Sequence, residues 1–463
     1  MIQDLRASRC ARMLLRSVAF FGTTSVIAAQ TRVSQIPLPS SGTVTMTEVV
    51  QSAIRDYPLI HVTQEELNAS VANIRLARTV YFPRADGLVQ INRATRNNVF
   101  GTLLPQSTLP SISGPVIGSN NGGSVWGSAT GLLVSWQPFD FGLRHANVDA
   151  ARAARDKADA ISQRSQLEVA TAAADSFLTL VAAEQTEKAA AAAVDNWDVL
   201  LRSIHALAAA QLRPGADESR IEAERALAKT QFVYAEQAIE AERATLAKFL
   251  PRSENAGTRL DTGRLLNELP QAGEEEIPFQ STNHPVMAEQ TATVAQSAAQ
   301  LHATKRSWVP QFNLEAAGYA RGTGAEVDGR RLPGANGLAP NVLNYATGVN
   351  ISFPFMDFAS IHAREAAQSA TLRANQANEQ LADRTLREQF ARAKAALHAA
   401  REVAENTPIE VKSAHTAFDQ AKARYQAGLA PIDDLAQAQR LVVQAEIDDS
   451  IARLNVWRAL LQN

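Results

Sequence analysis

Two repeating patterns alternate along this chain. From Leu143 to Arg213 run 71 residues without a glycine or a proline. Within them Leu167, Ala170, Ala174, Phe177 and Val181 recur at spacings of three and four. Apolar positions at that period form a coiled-coil seam, and the alanines suit close helix–helix approach. The run predicts one helix of roughly 105 Å, far longer than a compact domain needs. A second series, Leu386, Phe390, Ala393, Leu397, Ala400 and Ala404, belongs to another long helix that ends at Gly428. Shorter helices are predicted over residues 47–57, 58–82, 217–250 and 431–461, with Asp140 placed to cap the first long one.

The other pattern has period two. Gly87, Val89 and Ile91 alternate with Leu88, Gln90 and Asn92; Leu132, Val134 and Trp136 alternate with Leu133, Ser135 and Gln137. Farther on, Phe312, Leu314 and Ala316 alternate with Asn313 and Glu315, and Tyr345, Thr347, Val349, Ile351 and Phe353 with Ala346, Gly348, Asn350 and Ser352. Four two-faced strands follow, separated by Gly-, Asn- and Pro-rich loops at residues 97–127 and 322–341.

The programme runs twice. Tyr57-Pro58 and Tyr81-Phe82-Pro83 reappear 227 residues later as His284-Pro285 and Trp308-Val309-Pro310. Val134-Ser135-Trp136 and Asp140-Phe141 reappear 217 residues later as Ile351-Ser352-Phe353 and Asp357-Phe358. This duplication divides the chain into an N-terminal segment with a short helix (29–57), a first repeat (58–250), an equatorial linker (251–283) and a second repeat (284–463).

Composition narrows the class. Formal net charge is −2, and no Lys/Arg cluster resembles a phosphate-binding patch, so nucleic acid is not an expected partner. Arg6, Arg9, Arg12 and Arg16 precede an apolar run that ends near Val26-Ile27-Ala28-Ala29. Residues 1–28 therefore read as a secretory signal peptide that is removed; the competing reading, a membrane anchor, has too short and too interrupted an apolar run. The single cysteine, Cys10, lies inside this segment, which excludes an internal disulfide and a cysteine-based zinc site. The remaining chain has no candidate transmembrane helix, so any membrane insertion must use strands. No GxxxxGK[ST], GxSxG or HExxH motif occurs, and no catalytic residue, cofactor or metal is expected.

Each strand has the length and dyad pattern of a tilted transmembrane β-strand. Four strands are too few to close a barrel, and open edges in lipid would leave backbone groups unpaired. Neighbouring copies must then share one barrel, twelve-stranded in a trimer. Gln90, Asn92, Asn313, Glu315 and Asn350 would line a wet lumen, and Val89, Ile91, Phe312, Val349 and Ile351 would meet lipid. The expected fold is mainly α with a membrane β-barrel part: a duplicated long-helix coiled-coil α-barrel plus four β-strands per protomer. The competing reading is a soluble periplasmic coiled-coil adaptor or scaffold without a pore.

The duplicated order of helix, strand, loop, strand and long helix resembles the TolC-like outer-membrane efflux channels. So do the turn at residues 138–142 and Tyr425-x-x-Gly428 followed by Asp434-Leu435. The likeness covers about residues 45–461. It implies a homotrimer with its barrel in outer-membrane lipid and its helical tunnel in the periplasm. It also implies a periplasmic adaptor and an inner-membrane transporter, either a proton-driven pump or an ATP-binding cassette transporter. Such channels serve efflux or type I secretion.

At the tip of the second repeat, Asp433 and Asp434 would form an acidic ring at a constriction. The bland alternative is helix-end chemistry, with Gly428 at C′, Pro431 at N1 and acids complementing the dipole. Both tip turns, Arg213, Pro214, Gly215 and Asp217 in one and Gly428, Leu429, Ala430 and Pro431 in the other, are implied adaptor-docking surface. His145 and His362 occupy equivalent places in the two repeats, each without an expected second metal ligand at helical spacing. They read as polar residues at strand–helix junctions. Pro408 should kink the second long helix, as a hinge or as a tolerated bend.

Overall fold

The computed structural model describes residues 43–95, 123–209, 215–251, 259–270, 279–326 and 330–462. The leader at 1–28, Arg213, Pro214 and most of the first loop lie outside the described residues.

Strand β1 (Thr43–Val44) leads into helix α1 (Met46–Asp56) through a capping box, in which Thr45 and Glu48 satisfy each other's backbone N–H groups at 3.2 and 2.8 Å. Pro58 opens helix α2 (Pro58–Thr79) at a position where its missing N–H costs nothing. Helix α2 stops three residues short of the expected Phe82. The N–H groups of Tyr81 and Phe82 close a final turn onto Arg78 and Thr79, and Pro83 forces the chain into an extended path.

Strands β2 (Arg84–Thr95) and β3 (Ser124–Phe139) follow, then the long helix α3 (Leu143–Ala209) and its return, α4 (Gly215–Ala247). Strand β4 (Arg259–Leu260) pairs in parallel with β1, a contact of the linker with the N-terminal segment that period analysis of short polar stretches does not find. The second repeat comprises α5 (Pro285–Lys305), β5 (Gln311–Thr323), β6 (Val342–Ser352), α6 (Phe358–Gln426) and α7 (Ile432–Gln462).

Helices α2 and α4 both pack along α3, and α5 and α7 both pack along α6; α3 also contacts α5 and α7. The layer therefore runs α2–α3–α5–α6 beside the sheet and α4–α3–α7–α6 at the far end. Its free edges are α2 and α4 on one side and α6 on the other. Apolar seams join the helices. Phe177, Leu178 and Val181 meet Val49, Leu246, Phe249 and Leu454 at mid-height, and Trp197, Ile204, Ile221 and Leu435 close the far end.

The sheet is antiparallel in the order β2–β3–β5–β6. Strand β3 begins at Ser124, inside the stretch expected to be loop, because its first residues pair with the far end of β2. Helix α6 continues through Pro408 rather than breaking there. Tertiary contacts carry it: Ala404 is buried, and Thr407 donates its hydroxyl hydrogen to Asp449 on α7 at 2.8 Å.

Candidate functional site

Because side chains alternate along a strand, strand register decides which residues share a sheet face. Gln90 lies opposite Ala129 and Asn92 opposite Gly127; Ser135 lies opposite Glu315, Glu315 opposite Gly348, and Asn313 opposite Asn350. Gln90, Asn92, Asn313, Glu315 and Asn350 thus occupy one face. Val89, Ile91, Phe312, Val349 and Ile351 occupy the other, with Leu132, Val134, Trp136 and Leu314. The polar face is the enclosed one, since Gln90, Asn92, Asn313, Glu315 and Asn350 are all half-buried. On the opposite face Val89 is 78% and Tyr345 85% exposed. A sheet with this asymmetry presents its apolar side chains outward. The polar face is not uniform: Ala317 and Tyr319 pack with Leu88, Leu133 and Ala346 in a small apolar cluster at its centre.

The strand–helix junction turns on Arg144, which the sequence patterns did not single out. It is buried, its guanidinium lies 4.8 Å from the Tyr81 ring centroid, and it donates to the carbonyls of Val80 at 3.3 Å and Pro138 at 3.2 Å. It also pairs with Asp140 at 3.0 Å. Asp140 accepts from the N–H groups of Gly142 and Arg144, so it caps α3. Phe141 and Gly142 make the corner with φ of 48° and 90°, and Trp136 ties the corner to the turn that follows α2 by donating Nε1–H to the Tyr81 carbonyl at 3.1 Å. The i, i+4 spacing of Asp140 and Arg144 was the available signal for this knot.

At the far end, α6 closes with a Schellman motif: Gly428 at φ 74°, its N–H on the Tyr425 carbonyl at 3.0 Å, and the Leu429 N–H on the Arg424 carbonyl at 2.9 Å. Leu429 is exposed and Ala430 buried. Pro431 immediately precedes the first helical residue, Ile432, rather than occupying it. Gly215 opens α4, and Asp217 in its first turn accepts the Tyr425 hydroxyl hydrogen at 3.0 Å. Asp433 pairs with Arg220 at 3.2 Å, while Asp434 is exposed. The two acids therefore diverge: Asp433 is engaged by the first repeat, and Asp434 has no ion pair among the described residues.

Further ties hold this end, one of them between the repeats. Glu224, almost fully buried, receives Arg440 through two nitrogens and Arg220 at 3.4 Å. A buried carboxylate held by two guanidiniums is compensated; removing one partner would leave it costly. Glu224 and Arg440 lie in different repeats without a shared motif, so no short-range signal announces them. His205 meets Glu218 across the α3–α4 hairpin, and the hydrogen bond and negative charge of that carboxylate hold the imidazole above its ordinary value.

His145 and His362 do have carboxylates one turn along: Asp149 at 3.3 Å and Glu365 at 4.0 Å. This corrects the expectation of no second ligand at helical spacing, since i, i+4 and i, i+3 residues share a helix face. No group of three metal-ligating side chains converges among the described residues, and no helix among them is long and apolar enough to cross a membrane.

The model of the outer membrane efflux protein family matches residues 281–462, the second repeat. Solved structures match most of the chain. The CmeC outer-membrane channel of Campylobacter jejuni is 15% identical with a TM-score of 0.72, over 90% of this chain and 84% of that one. VceC, an outer-membrane protein of Vibrio cholerae, is 15% identical with a TM-score of 0.72, over 90% and 94%. The MtrE outer-membrane channel of Neisseria gonorrhoeae, in its open state, is 16% identical with a TM-score of 0.69, over 90% and 87%. These likenesses show the fold, and with the family match they uphold the resemblance to TolC-like channels. No curated protein matches the sequence.

Proposed function

We propose that this protein is an outer-membrane exit channel, a passive duct rather than an enzyme. The carrying observation is the four-stranded sheet, enclosed and polar on one face, apolar and exposed on the other, with the outer edges of both edge strands unpaired among the described residues. Such a sheet is a fragment of a barrel wall. Closure by further copies would remove the edges that lipid cannot tolerate. A homotrimer of twelve strands is the assembly we favour. The soluble scaffold is the weaker reading, because it would leave Val89, Ile91, Tyr345 and Val349 in water.

The helical layer, about 100 Å long at ~1.5 Å per residue, would continue the duct through the periplasm. Its tip would be the constriction, held by the ties between repeats, with Asp434 facing the axis. The exposed Gly215 and Leu429 suit docking by a periplasmic adaptor, and energy would come from an inner-membrane transporter. The test is conductance. Purified from outer membranes in detergent and reconstituted in planar bilayers, the protein should form discrete channels with cation preference, and Asp434→Asn should reduce that preference. A protein that stays monomeric in aqueous buffer and never conducts would overturn the proposal; unaltered selectivity in Asp434→Asn would remove that residue from the axis.

A further inference from the structure

Three adjoining hollows form a single trough along α7. One of about 450 Å³ lies between α3 and the end of α7; one of about 310 Å³ and one of about 510 Å³ follow between α7 and α6, toward the tip. The first two share Arg458 and Gln462, and the last two share Val403, Ala452 and Asn455. From Asp448 to Gln462 the trough runs about 20 Å at the helical rise of ~1.5 Å per residue. Each hollow is of the size that holds small organic molecules, roughly 300–1,000 Å³.

Alanines give the trough its depth. Ala396, Ala399, Ala400, Ala452 and Ala459 line its middle, where the side chains stop at Cβ. Arg453 and Trp457 stand two residues to either side of Asn455 and so on the other face of α7. They donate to the linker carbonyls of Leu266 at 3.5 Å and Leu265 at 3.1 Å. The trough therefore opens on the face of the layer that the linker leaves bare, and in the duct reading that face is the lumen.

Charge along it is uneven. At the α3 end the positive groups are spent: Arg164 pairs with Glu289 at 2.8 Å and Arg458 with Asp175 at 2.6 Å. His284 there accepts the Val286 N–H on Nδ1 at 3.2 Å, and burial holds its value below the ordinary one, so it adds no charge at neutral pH. Nearer the tip, Glu402, Glu410 and Asp448 surround Val403 and Ile451, and no lysine or arginine is among the described residues of that lining. Glu410 and Asp448 are half-buried. Asp448 accepts only an amide, from Gln444 at 2.9 Å, and Glu402 lies 3.7 Å from His398. Carboxylates set against apolar walls focus a negative field into the hollow. We propose that the trough binds an amphipathic organic cation, its positive group among Glu402, Glu410 and Asp448 and its apolar body against Val403 and the alanines. That such cations are cargo rests on the duct reading above; that they bind does not.

Ethidium is the probe, with the anionic dye anilinonaphthalene sulfonate as its counterpart and the full-length protein held in nanodiscs of zwitterionic lipid. Fluorescence anisotropy, corrected with empty discs, should show saturable ethidium binding that weakens as salt is raised. Glu402→Gln combined with Asp448→Asn should weaken it about tenfold. Val403→Arg, which places a cation in the hollow from a position 52% exposed, should do the same. The sulfonate should bind the parent about tenfold more weakly than ethidium does. Unchanged ethidium affinity in both variants, or a sulfonate bound as tightly, overturns the proposal, and conductance of the same preparations shows whether the duct reading survives it. Binding lost in Asp434→Asn, but kept in the trough variants, would place the cation at the tip and overturn it equally. Saturable binding that both trough variants weaken, in a protein that never conducts, would uphold the trough and remove the duct.

Discussion

Single side chains set the corners of this molecule. Arg144 holds two carbonyls, a carboxylate and an aromatic face, and so fixes how the sheet sits on the long helix. Replacing it with alanine leaves Asp140 without its guanidinium in a nearly closed site, a loss of about 3–5 kcal/mol for a broken buried pair. Arg144→Ala should lower the thermal midpoint in detergent, with Arg144→Lys between it and the parent, because lysine keeps the charge but not the planar fork. A midpoint unchanged in Arg144→Ala would show that the cap alone carries the corner. His205 gives a pH signature. Its folded value lies above the ordinary ~6.5 of an imidazole, so the tie to Glu218 is fully present below that value and is lost as pH rises through the raised one. A proton NMR titration should place His205 above an exposed histidine, and Glu218→Gln should return it. Coincident titrations in the two proteins would dissolve the pair.

At the scale of elements, alanine-rich helices owe their persistence to one another rather than to propensity alone. Helix α6 shows this at Pro408, where a residue that costs ~3 kcal/mol in a helix interior is accommodated within one continuous element. Pro408→Ala restores a donor to the Ala404 carbonyl, so backbone amides around it should exchange more slowly with solvent and the protein should unfold later. Faster exchange there would mean that the proline was instead ordering the helix. Element boundaries were legible where a breaker stood, as at Pro58 and Gly428. They were misread where a partner strand extended an element, as at Ser124, and where a local closing turn ended one early, as at Thr79. The short β1–β4 pairing was invisible because two residues have no period to detect.

For the whole molecule, the tip is held by ties of unequal cost. Tyr425 to Asp217 is a neutral donor on a carboxylate, whereas Arg440, itself half exposed, forms an ion pair with the buried Glu224. If these ties hold the constriction shut, Tyr425→Phe combined with Arg440→Met should raise mean conductance and open probability in planar bilayers several-fold. Sheet insertion should be unaffected. Equal conductance in the variant and the parent would place the constriction elsewhere. Glu224→Gln in the same background relieves the buried carboxylate left with Arg220 alone and separates lost stability from gating.

The sequence by itself determined the alternation of short two-faced strands with very long helices, the duplication, and which residues share a strand face. These follow from local sterics and from periods of 2 and 3.6, which any stretch of chain carries with it. Only the tertiary structure decided that the polar face is the enclosed one, that Arg144 is buried at the corner, and that Glu224 meets Arg440 across the two repeats. Those facts depend on where distant segments come to rest, and burial and charge pairing are properties of that arrangement rather than of any window along the chain.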